Sequence, residues 1–515
     1  MKKGKSLLER LPFFVLIFSV YPSLAFLAWN YREVNPFIVL RPITFSVFFA
    51  LTILLLCIYF FKDISKAHLG TSIIVITFFS LGHIANVLEN AIFYEKIGKP
   101  TWLVNILLPL FTLSIVIAVL RSIWNFKGDI TRSFTAINVI SAFLLASSGF
   151  LISNNYIKEH SRLSEQTSSP ISLGQPENLP DVYYIILDAY ARQDSMLSLG
   201  YDNSDFISEL EEIGFYVATC SRSNYPQTVV SMASALNMGY LWEVIPHNGT
   251  DDRNAEPVYA SIRQSKVREE FEMRGYQIIT FESGAAWLNW RDPDKFIEQT
   301  PEPFFSTQLN PFEYMFLDTT ALHSMMTQPY FLRNKYVYNY DLVNFDLDEL
   351  PKVAQLDGPK FVHVHMLTPH RPNIFLPDGS INLDTDYYKL GVGEGITDAY
   401  DIQGYINNTK FINSRLPDVI REIIQNSRIP PIVIIQSDHG YQKQDIRFNN
   451  LNTYYFPDGD YSKLYPSITP INSFRLVFNQ YFDTDYPLLE DQSVNVGINR
   501  PYGKKIAKMY PEKCP

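Results

Sequence analysis

Five apolar runs crowd the first 155 residues, and they constrain the fold before anything else does. They cover roughly 12–30 (PFFVLIFSVYPSLAFLAW), 39–61 (VLRPITFSVFFALTILLLCIYFF), 71–93, 102–120 and 134–153. Each is about the length that crosses a bilayer core. The third is the least apolar, because His83, Asn86, Glu89 and Asn90 fall in its second half. A cleaved signal peptide does not account for the first run, since four more follow it.

Flanking charge orients the set. Nine cations lie at the N-terminus (Lys2, Lys3, Lys5, Arg10), in the second short loop (Lys62, Lys66) and in the fourth (Arg121, Lys127, Arg132). The intervening segments hold four: Arg32, Arg41, Lys96 and Lys99. The positive-inside rule makes the N-terminus cytoplasmic, and an odd number of spans puts everything after 155 outside. Charge also divides the chain. Residues 1–155 hold thirteen Lys/Arg against six Asp/Glu, a balance of +7 in a chain of net −10, so the remainder carries −17. That acidic part has no basic stripe, which excludes nucleic acid as a partner class.

With 515 residues, more than one unit is expected. The reading is a five-span domain over 1–154, a linker over 155–180 rich in Ser and Pro, and an extracytoplasmic domain over 181–515. In the last, strand-type runs (DVYYIILDAY, YQIITFES, FVHVHML, PIVIIQSDHG) alternate with helical patterns such as YINNTKFINSRLPDVIREIIQNS. Such alternation predicts an α/β domain with a mostly parallel central sheet. Cys57 lies in a span, whereas Cys220 and Cys514 share the oxidising side and are available to pair. NGT at 248–250 and NNT at 407–409 match the N-glycosylation pattern by chance.

Three of the strands end in groups able to hold a metal or phosphate. YYIIL runs into Asp188, FVHV into His365 with His370 beyond it, and PIVIIQS into Asp438 and His439. In a parallel sheet these ends share one edge, where open α/β sheets bind ligands. Thr228, in SNYPQTVVSMASALNMGYL, falls near the N-terminus of a predicted helix, whose free N–H groups favour an anion. Singly, Asp188 reads as a turn or cap residue, Thr228 as an N-cap and His365 as a core histidine, while Arg447 reads as an exposed structural arginine, with an anion clamp reaching the pocket as the alternative. Together the strand ends form a constellation.

ILDAY, the Thr228 helix, HMLTPHRP and SDHG, in this order, resemble the alkaline phosphatase superfamily. Within it they resemble the sulfatase-like membrane branch of lipoteichoic acid synthases and phosphoethanolamine transferases, which also carry five N-terminal spans. The resemblance implies Asp188, Thr228, Asp438 and His439 as metal ligands, with Thr228 also the nucleophile. It implies His370 and His365 at the substrate phosphate. Two departures stand out: TPHRP lacks the glycine of the family's SHGP segment, and the cysteine motif of arylsulfatases is absent, the nearby run reading Cys220-Ser221-Arg222.

Two carboxylates, one imidazole and a threonine oxygen suit one divalent ion, Zn or Mn rather than Ca or Mg. The expected function is a metal-dependent transferase or hydrolase that passes a phosphoglycerol or phosphoethanolamine type group from a phospholipid donor, through Thr228, to a glycan or lipid acceptor of the envelope. The resemblance sets it in a bacterial cytoplasmic (inner) membrane. A sulfuric ester or phosphodiester hydrolase of the same fold and a non-enzymatic membrane sensor or scaffold are the alternatives.

Overall fold

The computed structural model describes residues 12–31, 34–91, 103–166, 179–245, 255–290, 292–299, 303–306, 308–326, 328–384, 399–443 and 446–505. The chain divides into two compact units, Met1–Ser168 with Pro301–Lys335, and Ser169–Thr300 with Tyr336–Pro515. Residues 301–335, which the sequence reading left in the outer domain, thus cluster with the apolar unit.

In the first unit α1 (Phe13–Asn30), α2 (Leu40–Phe61), α3 (Ile64–Ala91), α4 (Leu108–Asn125) and α5 (Phe134–Gln166) follow the five apolar runs. All five are long and apolar enough to cross a membrane, the pattern of a multi-pass membrane protein. Helix α3 begins well ahead of its apolar run because Asp63 caps it, its carboxylate accepting from the backbone of Ser65 at 2.9 Å and Lys66 at 3.1 Å. Phe48, Leu55, Phe60, Phe111, Phe143 and Phe150 are exposed, a surface for hydrocarbon to cover. Facing inward, Phe14, Phe18, Ala50, Val75, Phe79 and Phe134 form a core with Phe316. Small residues let the helices approach, and the Ser23 and Ser46 hydroxyls meet at 3.3 Å.

The polar half of α3 has partners in the 301–335 segment. The backbone N–H of His83 donates to the Thr319 carbonyl at 3.1 Å, and the Phe78 carbonyl accepts from Ala321 at 2.7 Å. Asn86 Nδ2 donates to Asp318 at 3.4 Å. His323 Nε2 lies 3.5 Å from Glu89 and its Nδ1 3.0 Å from Asp318. A side chain at Gly82 would meet the Asp318 carbonyl at 2.3 Å, so only glycine admits this approach. The segment's own helix, Pro311–Asp318, opens on a capping box between Asn310 and Glu313.

The second unit is built on a seven-stranded sheet: β1 (Val182–Leu187), β2 (Tyr216–Val217), β3 (Gln277–Phe281), β4 (Lys295–Ile297), β5 (Lys360–Met366), β6 (Ile432–Gln436) and β7 (Asn452–Tyr455). Its order is β2-β7-β6-β1-β5-β3-β4. Strands β6, β1, β5, β3 and β4 run parallel, while β7 pairs antiparallel with β6 and β2. The mostly parallel sheet expected from the alternating pattern is therefore present. The inner strands are buried throughout, which is why they read as continuous apolar runs. Alternate residues feed two cores: Val182, Tyr184 and Ile186 on one face, Tyr183, Ile185 and Leu187 on the other. Helix α6 (Thr228–Leu236) packs in the first core and α7 (Ala399–Asn426) in the second. Asn407 of the second glycosylation pattern is buried within α7; Asn248 of the first and Cys514 lie outside the described residues.

Candidate metal centre

Register brings the strand ends together. Ile186 of β1 lies opposite Gln436 of β6 and His365 of β5. Two residues further on, Asp188 and Asp438 leave the sheet side by side, with His439 next to them. The three side chains are buried, and one ligand atom from each lies within 4.8 Å of the others. His439 Nε2 is 3.5 Å from Asp438 Oδ2 and 3.9 Å from Asp188 Oδ1. Thr228, the first residue of α6, brings its Oγ1 to 3.5 Å from the same Nε2.

Local rules hold each group in place. Gly440 makes the turn after His439, where a Cβ would lie 2.4 Å from the carbonyl oxygens of Ile446 and Asn449. Ser231, one turn into α6, donates to the Asp438 carbonyl at 2.6 Å and so ties the Thr228 helix to the SDHG loop. Ala189 adopts a left-handed φ of 62° and donates its N–H to Asp438 Oδ1 at 3.0 Å. Such a conformation costs a non-glycine residue about 1–3 kcal/mol and persists where the surroundings over-determine it.

The unmet hydrogen-bonding capacity is specific. Asp188 Oδ1 and Asp438 Oδ2 are buried without a partner, and both face His439 Nε2. His439 Nδ1 is 2.8 Å from the Gly440 carbonyl, so the ring's proton sits on Nδ1 and the Nε2 lone pair is directed at the carboxylates. Burial, reinforced by the Arg447 charge, pushes His439 down to about 4, which keeps the imidazole neutral near pH 7. Burial alone would raise Asp188, but His370, His365 and His439 outweigh it and hold the carboxyl well below the usual range. Two carboxylate oxygens, a neutral imidazole nitrogen and a hydroxyl around one point are a donor set that fits a divalent cation.

Both expected histidines stand beside this group. His365 Nε2 lies 3.3 Å from Asp188 Oδ2. His370 donates from Nδ1 to the Arg371 carbonyl at 2.7 Å and accepts from Gln442 Nε2 at 2.8 Å, its ring centre 6.2 Å from that of His439.

Among solved structures, the chain is similar to phosphoethanolamine transferases. It is 13% identical to the integral membrane lipooligosaccharide phosphoethanolamine transferase A (EptA) from Neisseria meningitidis, with 91% of this chain and 95% of that one covered at a TM-score of 0.37. To the C-terminal periplasmic domain of EcEptC from Escherichia coli it is 12% identical, covering 65% and 94% at a TM-score of 0.41. A protein in the alkaline phosphatase superfamily from Vibrio parahaemolyticus is 12% identical, covering 62% and 73% at a TM-score of 0.37. No protein-family profile matches the chain. No curated protein matches it either.

Several residues at the centre had no reading, or a different one, from sequence. Arg447 is not an exposed arginine: its Nε donates to the Pro226 carbonyl at 2.5 Å and its Nη2 comes to 3.4 Å from His439 Nε2. The Gly440 turn, closed by the Gly440 N–H on the Arg447 carbonyl at 2.7 Å, folds it back. Asp401, wholly buried in α7, accepts from Arg371 at Oδ1 and Oδ2, each at 2.7 Å, and from Tyr441 at 2.5 Å. One carboxylate thereby joins the His370 loop to the SDHG loop. The adjacency of Tyr441 and Gln442 to SDHG was a usable signal for those two; Asp401 had none.

Proposed function

We propose that the chain is a membrane-anchored, metal-dependent enzyme that moves a phosphoglycerol or phosphoethanolamine type group from a phospholipid, through Thr228, to an envelope acceptor or to water. One observation carries the reading. Two buried carboxylate oxygens without partners, a neutral imidazole nitrogen and a helix-terminal threonine hydroxyl face one point at the carboxyl ends of a parallel sheet. Leaving such oxygens unpaired costs about 1–3 kcal/mol each, and more when they are charged. A divalent ion, Zn or Mn by donor type, relieves that cost.

Asp188, Asp438, His439 and Thr228 Oγ1 would hold the ion. When bound it supplies positive charge that acidifies a hydroxyl and offsets the charge on phosphoryl oxygens. Thr228 Oγ1 then attacks phosphorus as its proton passes to solvent. The new Oγ1–P bond forms as the bond from phosphorus to the diacylglycerol oxygen breaks, and that oxygen takes a proton from His370 Nε2, which has first gained one from solvent. In the second half the acceptor hydroxyl loses its proton to His370 and attacks phosphorus, and Thr228 leaves and regains a proton. Arg447 stands where its guanidinium can bind a phosphoryl oxygen. His365 orients the Asp188 carboxylate through its Nε2. Tethering to a bilayer raises the effective concentration of lipid headgroups, a gain no soluble metabolite would share.

The test uses full-length protein in detergent. Mass spectrometry of the parent should find about one equivalent of Zn or Mn, and Asp438→Ala with His439→Ala should lose it. Intact-mass analysis after incubation with phosphatidylethanolamine should show a phospho adduct that Thr228→Ala lacks. A folded parent that takes up neither metal on titration ends the proposal.

A further inference from the structure

A second site lies in the apolar unit. A cavity of about 360 Å³ opens beside the first turn of α2 and is closed by the 301–335 segment. Its walls are Pro42, Phe45, Phe304, Leu309, Phe316 and Leu317, with the Arg41–Glu313 ion pair among them. Size and lining match the usual small-molecule site, mostly hydrophobic with a few fixed polar groups.

Arg41 is held at two of its three nitrogens. Its Nε lies 3.2 Å from Glu313 Oε1, and its Nη2 donates to the carbonyls of Ser306 at 2.7 Å and Gln308 at 3.2 Å. Nη1 is buried and has no partner. A fixed guanidinium with a spare donor, set in an apolar wall, suits an oxyanion that arrives with hydrocarbon attached. The surroundings agree. Phe37 and Phe305 are 77% and 93% exposed, and Phe45 and Phe304, two of the cavity's own walls, are also exposed, a grouping that lipid rather than water covers. Inorganic phosphate would satisfy Arg41 and leave the phenyl walls bare; an uncharged chain would do the reverse.

We propose that this cavity holds one phospholipid of the surrounding bilayer, an acyl chain lying against Phe45, Phe304 and Phe316 and the phosphate on Arg41 Nη1. The site does not depend on the metal reading, and it is not assigned as the place where the transferred group is taken.

Native mass spectrometry of full-length protein in detergent, titrated with palmitoyl-oleoyl phosphatidylethanolamine, tests it. One lipid should be retained per chain, and inorganic phosphate should not displace it. Diacylglycerol with the same chains should bind about tenfold or more weakly for want of the charge-assisted bond. Leu309→Trp, which fills the cavity, should abolish retention without lowering the melting temperature. Arg41→Gln should weaken it and Arg41→Lys restore part of it. Should Arg41→Gln fail to fold, Leu309→Trp decides the question alone. Equal retention of diacylglycerol, or full retention by a folded Leu309→Trp, overturns the proposal. Asp438→Ala should retain lipid like the parent, so failure here and failure of the metal reading are separable.

Discussion

Replacing Asp401 by Asn tests how the two site loops are held. The carboxylate is fully buried, takes both arms of Arg371 at 2.7 Å and accepts from the Tyr441 hydroxyl at 2.5 Å. Arg371 is only 8% exposed, so the substitution removes a negative charge bonded to an interior guanidinium. Breaking a buried pair from one side costs about 3–5 kcal/mol, whereas replacing both partners by apolar groups is often nearly neutral. Asp401→Asn should therefore lose stability on that scale in denaturant titrations of full-length protein. Asp401→Leu with Arg371→Met should recover most of the loss, giving a coupling energy of about 2 kcal/mol or more in a double-mutant cycle. The same variant should impair phospho transfer more than metal uptake, because the network reaches His370 and Tyr441 rather than the ligands. A loss within about 0.5 kcal/mol, the range of an ordinary surface change, would refute the reasoning.

Other expectations follow from single groups. The hydrogen bond His323 donates to the Asp318 carboxylate, opposed by burial and aided by the charges of Asp318 and Glu89, raises His323 from its ordinary value near 6.5 to about 9. A raised folded value means stability fully present below 6.5 and lost as pH climbs through 9. The parent's melting temperature should fall across that window, and the His323→Gln curve should be flatter. At Gly440 a methyl group would sit 2.4 Å from two backbone oxygens. Gly440→Ala should therefore cost about 1–3 kcal/mol or more and weaken metal uptake, read by titration. Thr228→Ser should keep partial transfer activity, while Thr228→Ala keeps the three other ligands and forms no phospho adduct on intact-mass analysis.

Much of the centre was legible because its chemistry sits where β-runs stop. An apolar run that ends in Asp, or in Asp-His-Gly, can be read without knowing its neighbours, and parallel pairing then does the assembling. The α6 boundary was readable for the same local reason, as Pro226 and Thr228 mark a helix start. For Arg447 the sequence left an anion clamp and an exposed arginine both open, since its position depends on a turn that only the crowding around Gly440 enforces. Asp401 lies mid-helix, and its partners come from residues 371 and 441. The 301–335 segment had no separate reading in the sequence. Its partners are the polar residues of α3, and those were visible only as a blemish in a span.

The centre draws Asp188, Thr228 and Asp438–His439 from three separate segments, some 250 residues from first to last. No fragment of the sheet contains a working subset, because β1 must already lie against β6 before the two carboxylates meet. On the proposed reading, an ion held there would require β1 and β6 to be paired, so a truncated or mispaired chain would not assemble the donor set. Occupancy of the site would then report that the two strands have paired correctly.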